Sequence, residues 1–226
     1  MHPVVSQLEN RLIVSCQAYP GEPMRDPRTM AQVAAAVVSG GAAAVRIQGL
    51  DDIRHTRNAV DVPIIGLWKD GHDGVFITPT LNHCRKVLAN GADIIALDGT
   101  ARPRPDGLSF AETVARLREI TDAPIMADCD DVASAMTAAE CGVDIVGTTL
   151  AGYTGTRPKT DGPDLELLAE LSTRLEGSGC VLIAEGRIHS PAQARACRDA
   201  GAFAVVVGTA ITHPASITDW FCEALT

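Results

Sequence analysis

Val181-Leu182-Ile183-Ala184-Glu185-Gly186-Arg187-Ile188 is followed by the helical stretch Pro191–Ala200, by Gly201-Ala202-Phe203, and by Ala204-Val205-Val206-Val207-Gly208. The two apolar runs are short, continuous rather than alternating, and bounded by Gly. That pattern suits strands buried on both faces, as in a parallel sheet. The stretch between them carries apolar residues at three- and four-residue steps, as a helix with one buried face does. Ser190 fits its N-cap and Pro191 its first turn, while Gly201 fits a left-handed C-terminal closure. The segment reads as one strand–helix–strand unit.

The same unit recurs along the chain. Further runs are Leu12–Gln17, Ala43–Gln48, Val62–Lys69, Asp93–Asp98, Pro124–Cys129 and Asp144–Thr149, so that with Val181–Gly186 and Ala204–Gly208 there are eight. Helical periodicity fills most of the intervals, at Thr29–Ser39, Leu81–Asn90, Ser109–Ile120, Val132–Glu140 and Leu165–Arg174. Asp51–Asn58 is shorter and weaker, and Ser216–Leu225 closes the chain. Gly41, Gly91 and Gly142 stand before strands as Gly201 does, a weak internal repeat. Asp51 and Asp130 fit N-caps, and Pro27 fits a first turn. Eight such units in 226 residues favour a (β/α)8 TIM barrel, α/β in class. An open doubly wound sheet is the competitor, since local pattern does not distinguish closure, but Ser15–Gly21 holds no GxGxxG. No linker or composition shift divides residues 1–226, which read as a single domain.

Composition narrows the function. With 19 Lys+Arg against 28 Asp+Glu the net charge is −9, which argues against a nucleic-acid partner. No stretch is apolar for long enough to span a bilayer, and the N-terminus lacks a signal-peptide pattern. The 7 cysteines fall at irregular spacings without a CxxC pair, so reduced thiols and a cytoplasmic location are expected. The histidines form no HxH or HExxH, and no metal site is expected. The small-residue face Ala31–Val38 suits packing onto the barrel, and also leaves room for a homodimer contact.

In such a barrel the chemistry sits where strands end. The polar residues there are Gln17, Arg46 with Gln48, Lys69 with Asp70, Asp98, Asp128, Thr148 with Thr149, Glu185 with Arg187, and Thr209. Lys69 ends Val62-Pro63-Ile64-Ile65-Gly66-Leu67-Trp68, a run with no ionisable side chain. Its amine is expected to be partly desolvated, and so usable as a base or a Schiff-base amine. Glu185 fits a carboxylate that orients the lysine or acts as a second acid/base. Gly186 and Gly208, with a short helix starting at Thr209, read as a cradle for phosphate. Thr154–Asp161, with Gly155, Pro158 and Gly162 in or beside it, is long enough for a lid.

Leu12–Ala18 through Pro20-Gly21-Glu22-Pro23, Ile77-Thr78-Pro79-Thr80, Arg102-Pro103-Arg104-Pro105-Asp106-Gly107, Met126-Ala127-Asp128, Val143–Thr149 through Gly152-Tyr153-Thr154, and Ile183–Ile188 occur in that order. They resemble the N-acetylmannosamine-6-phosphate 2-epimerase family over nearly the whole chain. The resemblance implies a phosphate-binding barrel of the ribulose-phosphate-binding type. It implies an epimerase interconverting N-acetylmannosamine 6-phosphate and N-acetylglucosamine 6-phosphate in amino-sugar and sialic acid degradation, with a phosphosugar partner and no cofactor. By the same resemblance Lys69 is the catalytic lysine and Glu185 its partner. Gln17, Arg46 and Asp128 are substrate-contacting positions, and Gly186, Gly208 and Thr209 are phosphate-binding. Arg187, at the mouth beside Glu185, is a further candidate substrate contact. Departures lie at Asp70–Phe76, shorter than the family's stretch, and at His213, where an Arg is common. A phosphosugar decarboxylase or aldolase using the same lysine, and a non-catalytic sugar-phosphate sensor, are the competing readings.

Overall fold

The structure is a computed structural model that describes residues 1–226. Its strands are β1 (Leu12–Cys16), β2 (Ala44–Gln48), β3 (Ile64–Leu67), β4 (Ile94–Asp98), β5 (Ile125–Asp128), β6 (Ile145–Gly147), β7 (Val181–Glu185) and β8 (Ala204–Val207). Each pairs in parallel with the next, and β8 returns to β1 with Leu12 opposite Val205 and Val14 opposite Val207. The sheet is therefore closed, a (β/α)8 barrel, and the open-sheet alternative is excluded.

The helices are α1 (Pro3–Ser6), α2 (Pro27–Ser39), α3 (Leu50–Arg57), α4 (Leu81–Ala89), α5 (Phe110–Arg118), α6 (Val132–Glu140), α7 (Leu165–Arg174), α8 (Pro191–Asp199), α9 (Thr209–Thr212) and α10 (Pro214–Glu223). Their starts follow local chemistry. Ser109 and Glu112 form a reciprocal capping box at α5, and Ser190 accepts the amide of Gln193 at α8. Two expected caps are different residues. Gly49, not Asp51, precedes α3, and Asp131, not Asp130, caps α6. Gly41, Gly91, Gly142 and Gly201 all take positive φ at the helix–strand turns, as expected. None of the helices is long and apolar enough to cross a membrane.

Two apolar layers hold the barrel. Successive strand residues point to opposite faces. Ile13, Ala44, Ile65, Leu67, Ile94, Ala96, Met126, Ile145, Ile183, Ala204 and Val206 pack together in the barrel interior. Their neighbours, such as Val14, Val45, Ile47, Ile64, Ile95, Ala127, Val146 and Val205, pack outward against the helices. Ala34 of the small-residue stretch is part of that outer layer, so at least this position serves barrel packing. The layer is tight. A Cβ on Gly66 would lie 2.5 Å from Ala92 Cβ and 2.9 Å from Val87 Cγ1. The short α1 was not expected from the sequence. Its Val5, with Leu8 just beyond it, is fully buried with the interior layer.

Strand parity now selects the mouth residues. Stepping by two from interior positions reaches Gln17 and Lys69 beyond β1 and β3, Arg46 on β2, and Asp128 at the end of β5. It also reaches Thr149 beyond β6, Glu185 at the end of β7 and Gly208 beyond β8.

Candidate active site

A cavity of about 430 Å³ opens at that mouth, lined among others by Gln17, Tyr19, Arg46, Lys69, Thr149 and Glu185. Gly186, Arg187, Gly208 and Thr209 also line it. Of the residues expected to be catalytic or to bind substrate or phosphate, only Asp128 is not at its surface; of the other strand-end polar residues, Gln48, Asp70, Asp98 and Thr148 are also away from it.

At the floor is a buried charge cluster. Arg46, 1% exposed, donates Nη1 and Nη2 to Asp128 Oδ1 and Oδ2 at 2.9 and 2.6 Å, and Nη1 also to Glu185 Oε2 at 2.8 Å. The Thr149 hydroxyl lies 2.7 Å from Asp128 Oδ1 and 3.1 Å from Glu185 Oε2. Burial acts to strip the proton from Arg46, but the Asp128 and Glu185 charges outweigh it and hold the guanidinium charged. Asp128 is fully buried and committed to Arg46 and Thr149. It lies beneath the cavity floor, where it anchors Arg46. The adjacent aspartate at the end of β4, Asp98, is likewise engaged, by Arg102 at 2.6 Å and Thr100.

Glu185 differs because it reaches the cavity. Burial pushes its carboxyl pKa above the ordinary carboxylate range. The Arg46 charge opposes that shift, Asp128 adds to it, and Thr149 and Lys69 oppose it more weakly. A carboxyl that holds its proton more tightly than usual is suited to accept and return one.

Lys69 enters from the β3 side. Its backbone is pinned because Asp70 N–H donates to Phe76 O at 3.0 Å and Thr78 N–H to Trp68 O at 2.8 Å. The amine does not sit against an apolar wall, as its preceding run suggests. It is half-buried among polar groups, with Nζ donating to Gln17 Oε1 at 2.8 Å and to Tyr19 Oη at 3.2 Å. Gln17 is itself fixed, since its Nε2 donates to Ser15 Oγ at 2.8 Å. No ion pair joins Lys69 to Glu185. Each is held by other partners and both face the same space.

Beyond Glu185, Gly186 takes φ +115° and Arg187 takes φ +55°, an uncommon conformation for a residue with a side chain. That turn carries the Arg187 guanidinium over the loop after β6. There it donates to Ala151 O at 2.8 Å, Gly162 O at 3.1 Å and Thr160 Oγ1 at 3.0 Å. Arg187 lines the cavity and places three of its five N–H donors on the loop. The loop is also held by Asp130, which accepts from Thr154 and Thr156, and by the Arg157–Asp164 pair. Asp130, read as a helix cap, is thus a loop anchor. Across the mouth, the backbone N–H groups of Gly186, Gly208 and Thr209 take no partner within the chain. They remain available to an anion.

Sequence reading missed Tyr19, Arg102, His189 and His213 as cavity residues. Thr149 could have been weighted by parity, standing two residues beyond Gly147. Tyr19 could not, because its position depends on a loop tied by Glu22, which accepts from Tyr19 N–H at 2.8 Å and faces His213 Nε2 at 2.9 Å.

A lysine, a carboxyl of raised proton affinity and unpaired amides thus share the strand-end mouth of a closed α/β barrel, the place where barrel enzymes hold their active sites. The family model described as "Putative N-acetylmannosamine-6-phosphate epimerase" matches residues 30–226, and the chain belongs to that family. It is 59% identical over 222 residues to the "Putative N-acetylmannosamine-6-phosphate 2-epimerase" of Cutibacterium acnes, covering 98% of this chain and 96% of that one. It is 47% identical over 223 residues to the protein of the same description from Corynebacterium glutamicum, covering 97% and 95%. A solved structure of the N-acetylmannosamine-6-phosphate 2-epimerase from Clostridium perfringens superposes with a TM-score of 0.92 at 36% identity, covering 99% of this chain and 96% of that one.

Proposed function

We propose that the protein interconverts N-acetylmannosamine 6-phosphate and N-acetylglucosamine 6-phosphate by removing and returning the C2 proton, with Lys69 and Glu185 as the acid–base pair. The observation that carries this reading is that Lys69 and Glu185 enter one cavity from β3 and β7 without neutralising each other. The names of the similar proteins support the same substrate.

Ring opening exposes an aldehyde, and the C2 hydrogen then becomes acidic because the carbanion delocalises onto the aldehyde oxygen. Lys69 takes or returns the proton on one face and Glu185 on the other, which inverts C2. Arg46, held charged at the floor, stabilises the developing enolate oxygen through a fixed positive charge. Gln17 acts through Lys69. Its carbonyl is on Lys69 and its amide on Ser15, so it serves the lysine. The amides of Gly186, Gly208 and Thr209 receive the phosphate, whose binding energy positions C2. The chemistry calls for no cofactor. On this reading the step belongs to amino-sugar and sialic acid degradation and takes place in the cytoplasm, where a sugar phosphate is retained.

Proton NMR of N-acetylmannosamine 6-phosphate with the protein in deuterated water tests the proposal. The expected result is loss of the C2 proton signal together with growth of the gluco isomer. An unchanged spectrum refutes it, and a borohydride-trapped adduct on Lys69 supports an aldolase instead.

A further inference from the structure

An amine acting as a base has two N–H bonds and one lone pair. If only one N–H is fixed, the nitrogen turns about its Cε–Nζ bond and the lone pair sweeps a cone. In this site Gln17 Oε1 takes one N–H at 2.8 Å, and Tyr19 Oη lies 3.2 Å from the same nitrogen. The Tyr19 ring also lies against the amine, its centroid 4.7 Å from Nζ. Two acceptors fix both N–H directions, and with them the direction of the lone pair.

Tyr19 is itself held in place from the far side of the mouth. Its N–H donates to Glu22 Oε2 at 2.8 Å, Glu22 Oε1 faces His213 Nε2 at 2.9 Å, and His213 Nδ1 meets Ser216 Oγ at 2.8 Å. The bridge joins the loop after β1 to the segment between α9 and α10, so the phenol does not depend on its own loop alone. No part of the proposed proton transfer uses Tyr19, and the ring is 50% exposed, more than packing alone requires.

We infer that Tyr19 is the positioning residue of Lys69: its phenol oxygen takes the second N–H of the amine and aims the nitrogen at substrate C2. The inference rests on Lys69 being the base. Its removal therefore lowers the chemical step and leaves substrate binding, which resides in the phosphate amides and the floor, nearly untouched.

The experiment compares wild type, Tyr19→Phe, Tyr19→Leu and Lys69→Ala with N-acetylmannosamine 6-phosphate, reading kcat, KM and the unfolding midpoint. Tyr19→Phe keeps the ring and removes only the hydroxyl. It is expected to lower kcat about tenfold, the rate equivalent of one lost hydrogen bond, with KM within about twofold. Its midpoint is expected to match wild type, because the hydroxyl is not part of the core. Tyr19→Leu also removes the ring face and is expected to be slower than Tyr19→Phe. A Tyr19→Phe variant with wild-type kcat overturns the inference, as does one whose whole effect is a raised KM, since that marks a substrate contact. If Lys69→Ala is as active as wild type, the reading of Lys69 itself fails. If Lys69→Ala is inactive and Tyr19→Phe is unaffected, only the role of Tyr19 fails.

Discussion

Replacing Asp128 by Asn keeps the side-chain volume and removes one charge from beneath the active-site floor. Arg46 would lose the charge of the partner that takes both of its terminal nitrogens at 2.9 and 2.6 Å, and one of those two acceptors. It would keep the single Nη1 contact to Glu185, and its Nε already has no partner. The new amide nitrogen would point a donor at a donor. Removing one partner of a buried ion pair typically destabilises by about 3–5 kcal/mol, because the remaining charge is left uncompensated. For a domain of this size, roughly 2–4 °C of midpoint per kcal/mol converts that to a fall of about 6–20 °C. Thermal unfolding at neutral pH is the assay, with KM measured alongside below the new midpoint. If Asp128 were instead a substrate contact, KM would rise and the midpoint would barely move. A shift under about 2 °C, less than 1 kcal/mol on the same scale, would refute the reasoning.

Other expectations follow from the same geometry. Glu185→Gln should still exchange the C2 hydrogen with solvent deuterium while failing to invert C2, which NMR separates. Its unfolding midpoint relative to wild type should also change with pH, on top of the fixed cost of taking one anionic partner from Arg46. Burial raises the Glu185 pKa in the folded state, so this group favours folding below its unfolded pKa and that contribution is lost as pH rises through the folded value. The midpoint of the Gln variant relative to wild type should therefore fall as pH falls toward the ordinary carboxylate range, and a constant or opposite trend would contradict the assignment. Arg187→Ala should free the loop spanning Ala151 to Gly162, giving rapid tryptic cleavage after Lys159 and a KM raised several-fold. Unchanged protease resistance would show that the three guanidinium contacts are not what holds it.

Barrel architecture is legible in the sequence because each strand–helix unit carries its own signals: a continuous apolar run, a helical period and a glycine turn. Closure is not local. It depends on Leu12–Val14 finding Val205–Val207 nearly two hundred residues later. The mouth is legible for a related reason. Strand parity places Gln17, Arg46, Lys69 and Glu185 on one rim whatever their partners. What the rim residues do to one another was less accessible. Asp128 and Glu185 are both strand-end carboxylates, yet one lies under Arg46 and the other reaches the cavity, a difference of depth that spacing along a strand does not encode. That Arg187 also holds the loop after β6 follows from its left-handed backbone, which spacing along the chain does not show. Tyr19 stands on a loop whose path is set by Glu22 and His213, 191 residues apart. The buried α1 segment escaped for the opposite reason, being too short for any period to show.

The central claim is that Lys69 handles the C2 proton. Wild type and Lys69→Ala should be incubated with N-acetylmannosamine 6-phosphate in deuterated water and the C2 proton followed by NMR. The account predicts that wild type loses the signal as the gluco isomer appears, while Lys69→Ala, folded and at the same concentration, does neither at a comparable rate. Ordinary conversion by the alanine variant would contradict it.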